Sequence, residues 1–319
     1  MIIENRQKEK QILKILPAVI GRLIRESNIP FEELEEIRLR IGNPLICVAG
    51  SGEQMLPDRR DPHIVTGQEL AEALEYVSRY SFYAFEQEMR QGFLTIEGGH
   101  RVGLTGKVVM EQGRIKTMTY ISSMNIRIAH EVKGCAEPLI PYLVKEKRIS
   151  HTLIIAPPRC GKTTILRDLI RIVSNGSEKV KGSVVGVVDE RSEIGGCYMG
   201  IAQNELGIRT DILDCCPKEE GMLMLIRSMG PEVLAVDEIG SQNEVSALEY
   251  AMHCGCRLIA SVHGESLEEV RKRPFLSELI KQKRFDRYVI LEHQEHAGRI
   301  REILDENGAT VIDGELLCT

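Results

Sequence analysis

The stretch Ala156-Pro157-Pro158-Arg159-Cys160-Gly161-Lys162-Thr163-Thr164 follows a short apolar run and precedes a segment of helical character over 163–174. In that context a glycine-bearing loop is a phosphate cradle, the P-loop. The loop Pro157–Thr164 would wrap the phosphates of a nucleotide with its backbone N–H groups. The Lys162 ammonium would reach the β and γ phosphates and the Thr163 hydroxyl would ligate Mg²⁺, with the positive end of the helix behind them. Ala156 stands where the pattern has its first glycine, whereas Gly161-Lys162-Thr163 is intact.

Seventy-five residues after Lys162 the run Val233-Leu234-Ala235-Val236 ends in Asp237-Glu238. An apolar strand closed by two acids is the Walker B arrangement. Asp237 would hold Mg²⁺ through a water, and Glu238 would orient and polarise the attacking water, the step that separates a hydrolase from a passive nucleotide binder. Two further strand ends carry chemistry. Val187-Val188 runs into Asp189-Glu190-Arg191, where the acids serve either a strand-end salt bridge or, with Glu190 as a catalytic group, the γ-phosphate and Mg²⁺; the spacing favours neither. Leu258–Val262 runs into His263, a position suited to a γ-phosphate sensor more than to a structural histidine, because this strand is expected beside the Walker B strand. Cys160, before a helix N-terminus, could be an acidic thiol, but a redox role is the weaker reading. Cys254-Gly255-Cys256 lacks the spacing of a zinc knuckle.

The elements that must hold these residues fall into two kinds. From about residue 150 onward, short apolar runs at 152–156, 183–188, 232–236 and 257–262 alternate with helical segments, the pattern of buried parallel strands in an α/β domain. The first 130 residues read as mixed α+β. A helix is expected over 8–27, a half-buried strand from Glu36 to Ile41, a turn at Gly42-Asn43-Pro44 and a returning strand over 45–48. Thr66 with Glu69 forms a capping box that opens a helix to about Tyr80, and a second helix is expected over 82–90. Strands follow at 93–97, 100–110 and 114–128. A helix near 137–146, with Pro138 and Pro141 in its first turns, precedes the charged junction Lys145–Arg148. The domains expected are therefore 1–148, a smaller α+β unit, and 149–319, a RecA-like P-loop unit.

Composition narrows the function. Of 319 residues, 43% are hydrophobic and 28% charged, which suits a globular chain. The formal net charge is -6, and no basic, aromatic-rich groove for a nucleic-acid strand is visible. The longest stretch free of Asp, Glu, Lys and Arg, Ile41–Gly52, is too short to span a bilayer, so no direct membrane span is expected. The charge is uneven: residues 1–150 hold 21 basic and 20 acidic side chains and 151–319 hold 20 and 27, while 101–150 alone has nine basic against four acidic.

The order of P-loop, Asp189-Glu190, Asp237-Glu238 and Ser261-Val262-His263 resembles the Walker A, Asp box, Walker B and His box of the secretion-type ATPases, the motors of type II and type IV secretion and type IV pili. The segments Val187–Gly196, Gly207–Asp211, Leu225–Gly240, Glu36–Pro44 and Gly98–Gly106 resemble a sporulation branch of these motors. The resemblance implies a Mg-dependent ATPase acting as a homo-oligomer, a hexamer, on the cytoplasmic side of the mother-cell membrane. Its partners would be integral membrane components of the mother cell–forespore channel, with no nucleic acid. It also implies that arginines of the N-terminal domain complete the site; Arg101 and Arg127, and with them Arg209, are the candidates. In one respect the chain departs from the pattern: that family's Walker B segment usually ends in Gly-Glu, where this chain has Asp237-Glu238. Two rivals stay open, a motor stimulated by nucleic acid and a nucleotide-gated scaffold without turnover.

Overall fold

The computed structural model describes residues 2–78, 92–292 and 298–313. They fold as two compact units, Met1–His130 with Gly196–Gln203, and Glu131–Gly195 with Asn204–Thr319. The division thus lies at 130/131 rather than at 148/149, and the chain revisits the first unit for one short segment. Hydrogen bonds explain why 131–149 stays with the second unit. The Ala136 amide donates to the buried Asp168 carboxylate at 2.8 Å, Lys181 N–H donates to the Lys147 carbonyl at 2.8 Å, and Arg287 Nε donates to the Tyr142 carbonyl at 3.0 Å. The helix expected over 137–146 is shorter, a 3-10 turn Glu137–Leu139 running into Ile140–Leu143. Beyond it Glu146 and Lys147 both adopt positive φ, 53° and 60°, and turn Val144–Lys145 back onto Arg148–Ile149 as a tight hairpin.

In the first unit the helix expected over 8–27 is broken into α1 (Ile2–Lys14) and α2 (Ala18–Glu26). Pro17 lies at the break, because it has no N–H to donate and its ring clashes with the carbonyl four residues back. The capping box at Thr66 is present, with Glu69 N–H donating to Thr66 Oγ1 at 3.2 Å, and it opens α3 (Gly67–Val77). That helix ends at Val77 with Ser78 as its C-cap, short of Tyr80; the helix expected over 82–90 lies outside the described residues. The strands β1 (Leu34–Arg40), β2 (Ile46–Ala49), β3 (Gly52–Met55), β4 (Phe93–Ile96), β5 (His100–Glu111) and β6 (Arg114–Arg127) form one antiparallel sheet in the order β3-β2-β1-β6-β5-β4. Ile37, Leu39, Val102 and Ile126 bury one face against Ile12, Ile20, Leu23 and Leu70 of the helices. The alternate positions point away from that core, and there one cross-strand row reads Thr95, Arg101, Arg127, Glu36.

The second unit is built in the order β7 (Thr152–Ala156), α4 (Lys162–Asn175), β8 (Val185–Asp189), β9 (Thr210–Asp214), α5 (Lys218–Ser228), β10 (Val233–Val236), α6 (Gln242–His253), β11 (Arg257–His263), α7 (Leu267–Arg271), α8 (Pro274–Lys281), β12 (Arg287–Leu291), β13 (Ile300–Asp305) and β14 (Thr310–Asp313). Its sheet order is β9-β8-β10-β11-β7-β12-β13-β14, with β9 through β12 parallel and the last two strands antiparallel. β7, β8 and β10 are buried at every position, as expected of strands covered on both faces. Register brings the chemistry-bearing residues to one edge: Ala156 lies opposite His263, Val188 opposite Val236, and Asp189 opposite Asp214. Ligands of open α/β sheets bind at this carboxyl edge. Among the described residues no helix is long and apolar enough to cross a membrane.

Candidate active site

The loop between β7 and α4 takes its shape from two residues in the left-handed region, Arg159 at φ 63° and Gly161 at φ 79°. Such turns point consecutive amides into one hollow. Gly161 is the N-cap of α4, so Lys162 and Thr163 open the helix and Thr164 follows on its first turn. Pro157 and Pro158 lead into the loop; having no N–H, neither adds an amide to the cradle. Between the two left-handed residues Cys160 is buried and its Sγ lies 3.7 Å from the Pro158 carbonyl. Burial pushes this thiol above its ordinary pKa. The acidic thiol weighed on sequence is therefore not formed, because desolvation opposes the thiolate.

Three side chains converge on Asp237. Lys162 Nζ lies 3.3 Å from Oδ1, Thr163 Oγ1 donates to Oδ2 at 2.8 Å, and Ser261 Oγ donates to Oδ1. Burial alone would raise the Asp237 pKa, but the Lys162 charge and the hydrogen bonds from Ser261 and Thr163 outweigh it and hold it below the ordinary value. Lys162 is only 7% exposed and has its carboxylate partner within the site. The Thr163 hydroxyl and Asp237 carboxylate form a hard-oxygen donor set, the chemistry Mg²⁺ selects.

Glu238 follows at φ 53°, a conformation that costs a non-glycine residue about 1–2 kcal/mol. Its backbone is held on both sides: its N–H donates to Ser261 Oγ at 3.0 Å, and its carbonyl accepts from Lys218 Nζ at 2.6 Å. Its carboxylate lies 3.3 Å from Arg191 Nη1 and 3.4 Å from His263 Nε2. The His263 Nδ1 is buried and has no hydrogen-bond partner among the described residues. Glu190 pairs with Lys218 at 3.3 Å, and both line one small pocket with Asp189, Arg191, Glu193, Asp237 and Glu238. The structure therefore gathers Lys162, Thr163, Asp237, Glu238, Glu190 and His263 at one edge of one sheet.

Asp189 has another task. Its carboxylate accepts from the amides of Glu193, Ile194 and Gly195 at 2.8, 2.9 and 2.8 Å. Burial raises its pKa to about 6 against the pull of those amides. The carbonyls of Glu193 and Ile194 accept from Arg167 of α4 at 2.7 and 2.8 Å. The loop after β8 is thus clamped by its own strand end and by the P-loop helix, immediately before the segment Gly196–Gln203.

Among the arginines, Arg209 is a cap: its Nη1 donates to the Ser174 and Asn175 carbonyls at 2.8 and 3.1 Å, closing the C-terminus of α4. Arg101 and Arg127 are cross-strand neighbours in the first unit. Arg101 lies over the Phe93 ring at 3.7 Å, and Arg127 Nε is 3.2 Å from Glu36 Oε1. Sequence reasoning missed Lys218, Arg167 and the bridging role of Ser261. The last had a signal, a hydroxyl in an otherwise apolar run two residues before His263.

The family model described as Sporulation stage III, protein AA, matches residues 6–311. The chain belongs to this family. It is 43% identical over 311 residues to Stage III sporulation protein AA of Bacillus subtilis (strain 168), covering 93% of this chain and 95% of that protein. It is also 32% identical over 170 residues to the uncharacterized protein ycf45 of Cyanidium caldarium, covering 53% of this chain and 47% of that one. Among solved structures the fold is similar to the Legionella pneumophila ATPase DotB, with TM-score 0.60, 14% identity, 92% of this chain and 82% of that chain. It is similar as well to the pilus retraction motor PilT with bound ADP, with TM-score 0.55, 12% identity, 89% of this chain and 78% of that chain. The fold of this family member is that of a RecA-like ATPase carrying an N-terminal α+β unit.

Proposed function

We propose that the chain is a Mg-dependent ATP hydrolase. In this reading it is a secretion-type motor that powers assembly of, or transport through, the channel between mother cell and forespore. The observation that carries this reading is the convergence of Lys162, Thr163 and Ser261 on Asp237, with Glu238 held beside it in a strained backbone conformation. Thr163 and Asp237 are the residues that would hold Mg²⁺; bound there, the ion neutralises charge on the phosphate oxygens. The loop Pro157–Thr164 cradles the phosphates with the amides of Arg159, Cys160, Gly161, Lys162, Thr163 and Thr164, and Lys162 exchanges Asp237 for phosphate oxygens. Glu238 positions the water for in-line attack, His263 reports the γ-phosphate, and Glu190 adds a second acid to the same pocket. Arg101 and Arg127 serve the site of a neighbouring copy in a homo-hexamer, where guanidinium groups offset charge on the transferred phosphoryl.

The membership in a sporulation family and the fold shared with DotB and PilT support the motor. On the same reading the protein works in the mother-cell cytoplasm, attached at the periphery of a membrane complex and independent of nucleic acid. Two experiments test it. Phosphate release from Mg-ATP is expected from the full chain and is lost in Lys162→Ala; manyfold stimulation by single-stranded DNA or RNA would overturn the channel reading. Mass in solution is expected to rise to that of a hexamer with a non-hydrolysable ATP analogue, and a monomer with and without it would overturn the ring.

A further inference from the structure

Lys218 opens α5, where a cation meets the positive end of a helix. It is also largely buried, its side chain 11% exposed. Both facts are unfavourable unless its three N–H donors are matched, and they are. Nζ lies 2.6 Å from the Glu238 carbonyl, 3.3 Å from Glu190 Oε2 and 3.4 Å from Glu244 Oε1. The Glu244 carboxylate in turn accepts from the Gly240 amide at 2.7 Å, so the ammonium grips the turn after β10 at both of its ends. Across that turn Ser261 Oγ accepts from Glu238 N–H at 3.0 Å. The Glu238 peptide groups are therefore pinned from two elements at a φ of 53°, a conformation uncommon for a non-glycine residue.

We infer that Lys218 is a positioning residue, which holds the strained turn carrying Glu238 and ties it to Glu190 at the end of the neighbouring strand β8. Catalytic benefit depends on such placement, since a misplacement on the order of 1 Å can cost about 100-fold in rate. Lys218 touches the Glu238 backbone and leaves its carboxylate to Arg191 and His263, so its loss changes where the carboxylate points and leaves the phosphate cradle alone. The inference rests on the proposed ATP hydrolysis for its kinetic consequence and on the hydrogen bonds alone for its structural one.

The test compares wild type, Lys218→Met and Lys218→Arg as full chains, by steady-state phosphate release from Mg-ATP and by amide hydrogen exchange at Glu238 and Gly240. Lys218→Met keeps the aliphatic stem and is expected to lower kcat about 10- to 100-fold, with KM for ATP within about twofold of wild type. Exchange at the two amides speeds up, and Lys218→Arg restores part of both. A kcat within about twofold of wild type, or a fall in kcat matched by an equal rise in KM, overturns the inference. Unchanged exchange at Glu238 and Gly240 overturns it also. If wild type releases no phosphate while exchange in Lys218→Met still speeds up, the proposed hydrolysis fails and the positioning stands.

Discussion

Asp189 and Asp237 end neighbouring parallel strands, each after a buried run of aliphatic residues and each before a glutamate. In sequence they are near twins, yet the fold uses them in opposite ways. Asp189 turns back onto the amides of its own loop, with no basic side chain hydrogen-bonded to it among the described residues, and burial lifts its pKa to about 6. Asp237 reaches across to Lys162, Thr163 and Ser261, three side chains from two other elements, and its pKa falls. The difference follows from what comes next in the chain. After Asp189 the chain turns so that three consecutive amides face the carboxylate; after Glu238 the turn is held by Lys218 and Ser261, leaving the Asp237 oxygens to face the P-loop. An acidic strand end is thus a staple of its own loop where that loop folds back, and a partner for side chains of other elements where it does not.

Four comparisons can break or sharpen this contrast, the largest effect first. Asp189→Ala leaves three loop amides without their acceptor, and at about 1 kcal/mol or more for each the second unit loses about 3 kcal/mol of stability. Urea denaturation without nucleotide reads this loss, and an unchanged midpoint would remove the staple. Lys162→Ala deletes the cation that would meet the phosphates, so ATP binds about 10- to 100-fold more weakly in calorimetric titration. Retained affinity would mean that the loop amides alone suffice.

The third comparison is a pair of opposite pH slopes in Mg-free buffer. Asp189 binds its proton more tightly folded than unfolded, so the stability of wild type relative to Asp189→Asn falls as pH rises from about 4 to about 6, then levels. Asp237 binds its proton less tightly folded, so the stability of wild type relative to Asp237→Asn rises with pH through the folded pKa and levels near the unfolded value of 3.8. Slopes of the same sign would contradict the contrast. The smallest effect belongs to Arg209→Ala, which uncaps α4 and costs about 1 kcal/mol in thermal unfolding with turnover retained; a large loss of turnover would return Arg209 to the catalytic candidates.

The parallel core was legible in sequence because buried strands are continuous apolar runs, and 152–156, 232–236 and 257–262 fall within one residue of β7, β10 and β11. The strand, loop and helix around 152–175 were legible because their signals share one local segment. The failures share a cause, a local backbone conformation decided by one or two residues. Pro17 splits a periodic helix, and Glu146-Lys147 make a hairpin where apolar spacing suggested more helix. The unit boundary was placed on a charged run that in fact bonds into the second unit. Asp189 and Lys218 were opaque for a different reason: which atoms face them depends on turns of 190–195 and 238–241 that no spacing encodes. The return of Gly196–Gln203 to the first unit carries no periodic signal at all.

The most direct test of the contrast sets Glu238→Gln beside Glu190→Gln in phosphate release from Mg-ATP, with bound nucleotide measured in the same samples. Both glutamates follow the compared aspartates, and both line the same pocket. The account predicts that Glu238→Gln loses about 100- to 10,000-fold in turnover while retaining bound ATP, and that Glu190→Gln, held by Lys218 at the pocket wall, loses less than about tenfold. Undiminished phosphate release from Glu238→Gln, or an equal collapse in both variants, would contradict it.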